Sequence, residues 1–234
     1  FGEYFNNNDR VRVKIFCKNF KSKWKSIYTF KPGSIRHIHN IIYDSYVNKY
    51  IVLTGDTDME SKILSFDSNF KNFEIISQGS QFSRSIDIIP TKDGYIISTD
   101  TPKQKNYIYF LDRKKNIKSK LSVHGSIFHL CQYQNIFLAS TALEPSFVNN
   151  QSFVYVYGSL DGLNWVELFK IKKKYPLFMS RLLRYPEIEL TKNIDKSFNS
   201  IPFYFRNLKG FVDGTYFLSK KEIIKKINDG FKII

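Results

Sequence analysis

Three acidic residues stand at matching places along this chain: Asp56, Asp100 and Glu144 lie 44 residues apart and close the apolar runs YIVLTGD, YIISTD and FLASTALE. Paired carboxylates are the groups that cleave glycosidic bonds by acid–base or nucleophilic chemistry. Arg36 and Arg84 are suited to hold an anion, because a guanidinium binds a carboxylate or phosphate through two parallel hydrogen bonds. His37 and His39 are two apart and project to one side of a strand, where they would hold a metal or grip a substrate. With no clear third ligand, no metal or other cofactor is expected, and the pair joins Gln81, Arg36 and Arg84 as substrate-binding candidates. Each residue also has a structural role open to it. Asp56 and Asp100 would cap tight turns, and the two arginines would pair with them across neighbouring units. Glu144 precedes Pro145, which keeps the chain extended and makes a carboxylate there less useful as a cap. His124 and His129 are assigned to structure or surface.

The elements that position these groups are strands. Short runs rich in β-branched and aromatic residues recur, among them Val11–Phe16, Ile38–Tyr43, Tyr50–Leu53, Ile63–Phe66, Tyr107–Leu111, Ile136–Leu138 and Phe153–Tyr157, separated by Gly, Asn, Asp, Ser or Pro. The class is all-β. Gly-Ser pairs at Gly33, Gly79 and Gly125 recur every 46 residues, and turn residues at Asn19, Asp67, Asp112 and Asp161 every 45 to 49. A unit of that size holding four strands is a propeller blade; a repeat-free sandwich is the alternative. The length gives about five units over residues 1–219, either a ring by themselves or part of a six- or seven-bladed one. The last, near Leu177–Leu218, matches poorly. Phe1–Phe5 resembles an inner strand, and a preceding portion of the chain is expected to be missing. Helical spacing appears at Lys220–Ile227, within a tail of residues 220–234. Since strands of a blade alternate in direction, first-strand starts and second-strand ends share one face. The seven charged candidates are therefore expected at one funnel, with Glu3 and Tyr4 joining from the first unit.

The formal net charge is +15, which attracts anionic partners. The lysines are dispersed and no nucleic-acid-binding motif accompanies them, so no nucleic-acid role is expected. No apolar run reaches the roughly 18 residues of a membrane-spanning helix. Cys17 and Cys131 have no metal or disulfide-framework spacing. Compartment and oligomeric state stay open.

The turn Ser159-Leu160-Asp161-Gly162-Leu163-Asn164-Trp165, with weaker copies at Cys17–Trp24 and Ser65–Phe73, resembles the Asp-boxes, or BNR repeats, of sialidase-like propellers. The strings GEYF, RHIHN, TGDTD, GSQFSR, TDTP and LEPS are similar to those of bacterial sialidase-like proteins associated with surface polysaccharide. The resemblance implies that Asp67, Asp161 and Trp165 are structural. It also implies an arginine triad, completed by Arg181 or Arg184, a Tyr4–Glu3 nucleophile pair, and Asp56 as the acid. The function implied is a glycoside hydrolase acting on an acidic or amino-sugar-containing bacterial surface polysaccharide. Alternatives are a polysaccharide lyase, with His37 or His39 and Tyr4 abstracting a proton, or a non-catalytic glycan- or protein-binding propeller.

Overall fold

A computed structural model describes residues 1–230 apart from 20, 151, 193, 194 and 196, with the side chains of 180 and 181 outside the described set. The chain is all-β and propeller-like, with seventeen strands among the described residues and a C-terminal helix. It divides into two compact units. The first comprises Phe1–Thr99 and Arg113–Lys115, the second Asp100–Asp112 and Asn116–Ile234.

In the first unit β1 (Val13–Cys17) pairs with β2 (Lys25–Phe30). The expected inner strand takes the form of an extended segment. Its Phe1 carbonyl accepts from the Phe16 amide at 2.8 Å, and its Glu3 carbonyl accepts from the Ile38 amide at 2.9 Å. Next comes an antiparallel meander of β3 (His37–Asp44), β4 (Lys49–Gly55), β5 (Lys62–Phe66) and β6 (Phe73–Gln78). Ile51, Val52 and Leu53 of β4 are all fully buried. A strand covered on both faces needs no polar alternation, which explains its unbroken apolar run. Val13, Ile15, Phe30, Ile38, Val52, Leu64 and Phe66 form the surrounding core. β7 (Ile88–Pro90) and β8 (Gly94–Ser98) form a further hairpin. Behind the meander, Asp44 is fully buried and paired with Arg113, whose guanidinium stacks 4.4 Å from the Tyr95 ring.

The second unit opens with the paired strands β9 (Asn106–Asp112) and β10 (Ile117–Val123). Another meander follows: β11 (Ser126–Tyr133), β12 (Ile136–Ala142), β13 (Phe153–Ser159) and β14 (Val166–Lys172). After a short helix α1 (Ser180–Leu183), the poorly matching region forms three strands, β15 (Glu187–Leu190), β16 (Ser200–Arg206) and β17 (Gly214–Ser219). Helix α2 (Lys220–Gly230) extends three residues beyond the expected span. Its Ile223 and Ile227, one turn apart, are buried in the core of this unit.

The β13–β14 turn shows why the S-x-D-G-x-x-W spacing works. Asp161 Oδ1 accepts from the Leu163 and Asn164 amides, both at 2.8 Å; Gly162 takes φ +74°; and Trp165 Nε1 donates to the Gly162 carbonyl at 3.1 Å. Asp67 and Asp112 likewise accept amides four residues ahead, at 2.9 and 2.8 Å. Trp165 is buried, whereas Trp24 in the degenerate first turn is 55 % exposed and packs edge-on against Phe1. Asp161→Ala should therefore cost about 1–2 kcal/mol, seen as a melting point lower by a few degrees.

Candidate functional site

The first unit gathers one polar cluster at the entry to β3. His37 and His39 alternate with Ile38, so both rings leave the same side of the strand while Ile38 enters the core. His37 lies opposite Gly55 in the β3–β4 register, and Asp56 follows directly at the strand end. Asp56 Oδ1 therefore sits 3.5 Å from His37 Nε2 and 3.4 Å from His39 Nε2, and the two Nε2 atoms are 3.1 Å apart. On the opposite edge of each ring a backbone carbonyl is the partner. Nδ1 of His37 is 3.3 Å from Phe5 O, and Nδ1 of His39 is 2.9 Å from Ser85 O. This last contact spans 46 residues, as does the bond from Asn40 Nδ2 to the Ile86 carbonyl at 3.0 Å. Both join one repeat to the next.

Arg36 Nη1 donates to Asp56 Oδ2 at 2.7 Å, while its Nη2 donates to Asn6 Oδ1 at 2.8 Å and Asn8 Oδ1 at 3.3 Å. Arg84 Nη2 lies 3.5 Å from Asp56 Oδ1. Gln81 Nε2 donates to the Asp56 carbonyl at 3.0 Å and to Asp58 Oδ1 at 2.9 Å. Tyr4, 70 % exposed, covers the histidines with its ring centre 4.1 Å from that of His37. Burial pushes the Asp56 carboxyl up, but the His37 and His39 ring nitrogens and the Arg84 charge prevail and hold it well below the usual carboxylate range. A carboxylate kept ionised in this way is suited to hold cations.

Tyr4, Arg36, His37, His39, Asp56, Gln81 and Arg84 are thus brought together. Glu3 has a different set of partners: its Oε2 accepts the Lys14 amide at 2.7 Å. Asp100 and Glu144 belong to the second unit, where Asp100 is buried and Glu144 half-buried. The loops that carry them are tied, since Ser146 Oγ donates to the Pro102 carbonyl at 2.8 Å and Asn149 Nδ2 to the Thr101 carbonyl at 3.0 Å. Arg184, with φ +63°, is also in the second unit, and the Arg181 side chain lies outside the described residues. His124 stacks on Tyr155 with ring centres 4.6 Å apart, and His129 is 3.1 Å from Glu187, which also pairs with Arg206. Sequence reasoning missed Asn6 and Asn8. Their signal was the run of three asparagines directly after GEYF.

Gly55 makes the arrangement possible. A Cβ there would lie 2.5 Å from His39 Cε1. Gly55→Ala must push the imidazole aside, at a cost of about 1–3 kcal/mol. The expected result is a folded protein with a lowered melting point and a disproportionate loss of function at this site, checked by calorimetry and by the turnover assay below.

No family model matches the chain, and no curated protein matches it. Solved structures do. A chain of the nidogen/laminin complex aligns over 91 % of this chain and 81 % of its own length, with TM-score 0.51 and 9 % identity. An oligogalacturonate lyase in complex with manganese aligns over 86 % of this chain with TM-score 0.52 and 12 % identity; the chain spans only 52 % of that protein. These likenesses place the fold among the β-propellers.

Proposed function

We propose that the chain is a carbohydrate-active enzyme acting on an acidic surface polysaccharide at the Tyr4–Arg36–His37–His39–Asp56–Gln81–Arg84 cluster. The observation that carries this reading is the convergence of two guanidinium groups on one carboxylate, Asp56, beside an exposed tyrosine whose ring is tilted against that of His37. Arg36 is braced by Asn6 and Asn8 and so is held in place before any ligand arrives. Arg36 and Arg84 would neutralise the acidic group of the sugar.

Among cleavage routes elimination is favoured, because Asp56 is engaged by Arg36, Arg84 and both imidazoles and is not offered to a leaving oxygen as an acid. With the sugar carboxylate neutralised, the adjacent C–H bond becomes acidic. His37 or His39 would take that proton, the electron pair would form a carbon–carbon double bond, and the β C–O bond would break. The leaving oxygen would take a proton from the hydroxyl of Tyr4, a residue that is 70 % exposed. Hydrolysis would instead rest on Glu144 or Asp100 as the acid, and a binding propeller would use the same arginines without turnover. A resemblance to sialidase-like proteins in GEYF, RHIHN and GSQFSR is consistent with the acidic-glycan class.

The test is incubation of the intact protein with a polyuronate and with a sialylated glycan, following reducing ends and the ultraviolet absorbance of an unsaturated uronate. Both signals together are the expected result. Reducing ends alone would replace elimination by hydrolysis, and retained glycan with neither signal would overturn the assignment as an enzyme.

A further inference from the structure

We infer that His37, His39 and Asp56 form a binding site for one first-row divalent transition ion.

A carbonyl oxygen only accepts, so the Nδ1 atoms facing Phe5 O and Ser85 O carry the protons. That leaves Nε2 as the ligating nitrogen of each ring. The two Nε2 atoms face each other at 3.1 Å and face Asp56 Oδ1 at 3.4 and 3.5 Å. Three ligand atoms this close call for a cation among them, either a proton on one Nε2 or a metal ion, and all three lie within 4.8 Å of one another.

The triangle also has the right size. Its three corners share a point about 2 Å from each, the length of metal bonds to imidazole nitrogen and carboxylate oxygen. Carbonyls orient both imidazoles from behind, and Arg36 holds Oδ2 at 2.7 Å so that Oδ1 is the oxygen presented to the rings; such outer partners are characteristic of metal-ligating histidines and carboxylates. The histidine side chains are 6 % and 2 % exposed and that of Asp56 21 %, so the ion would be approached from the carboxylate side. Two imidazoles and a carboxylate suit Zn²⁺, Mn²⁺ or a neighbour in the series, whereas Mg²⁺ and Ca²⁺ prefer oxygen alone. With Arg36 and Arg84 adjacent, a loaded site is strongly cationic, which suits an anionic ligand. That last point rests on the acidic-glycan reading; the ion site stands without it.

The test uses the full chain stripped with a chelator and titrated calorimetrically with Zn²⁺, Mn²⁺ and, as control, Mg²⁺. Cys17 is exposed, so Cys17→Ser removes it as an adventitious ligand. The expected result is one transition ion per chain and little Mg²⁺ affinity. Asp56→Asn and His39→Gln should each weaken binding by at least about 100-fold, and the milder Gly55→Ala, which only displaces a ligand, by about 10- to 100-fold. Co²⁺ loading should give visible absorption of a nitrogen–oxygen site without a thiolate band. Binding no stronger than in the His39→Gln variant, or histidine NMR signals showing a protonated pair that no ion displaces, would overturn the inference. A bound ion with no glycan turnover would leave it standing and remove the enzymatic reading; turnover in a chain that binds no ion would do the reverse.

Discussion

Asp44→Asn should destabilise the protein by about 2–3 kcal/mol, because it strips the charge from a carboxylate with no exposed surface and leaves the partly exposed Arg113 without its counter-ion. Asp44 has no exposed surface, and its carboxylate meets both Nη atoms of Arg113 as well as the Tyr46 amide at 3.1 Å. Arg113 is also held by the Thr91 carbonyl and by the face of Tyr95, while its side chain keeps 23 % exposure, so water can compensate part of its charge. Chemical denaturation of the wild type and variant measures the difference. A loss below about 1 kcal/mol, the level of an exposed pair, would show that the pair is solvated. The double change Asp44→Asn with Arg113→Met should recover part of the loss, since an apolar replacement removes the stranded charge.

Asp56→Asn should lower glycan turnover by about 100- to 1000-fold, the scale seen when a preorganised electrostatic partner is removed from an active site. The stability cost should be smaller than for Asp44, because the Asp56 side chain is 21 % exposed and water can take over part of its role. The amide keeps the shape and loses the charge that holds Arg36, Arg84 and the histidine pair in register. Turnover assays on a variant whose melting curve remains cooperative separate the two effects. Unchanged turnover would remove the cluster from the chemistry altogether.

Some of this was legible in the sequence because its physical cause is local. The apolar runs declared strands, the 46-residue interval declared the repeat, and the i, i+2 spacing placed His37 and His39 on one face. Ser159, Asp161, Gly162 and Trp165 described their own turn. The third ligand was hidden, because Asp56 reaches the histidines only through the register that sets His37 opposite Gly55. The same applies to Asp44 and Arg113, 69 residues apart, and to Asn6 and Asn8, whose position depends on a segment with only an isolated bridge at Gly2. The region of β15 to β17 obscured its period because it has three strands where the repeat has four.

The two bonds that span 46 residues have a mechanical consequence. His39 reaches across a module boundary to Ser85, so whatever rests on its outer nitrogen also fastens two neighbouring modules. Arrays of repeats tend to fray where one module meets the next. Occupancy here would act as a clasp on that junction, slowing amide hydrogen exchange in β3 and around Ser85 and Ile86 together, well beyond the atoms the ligand touches.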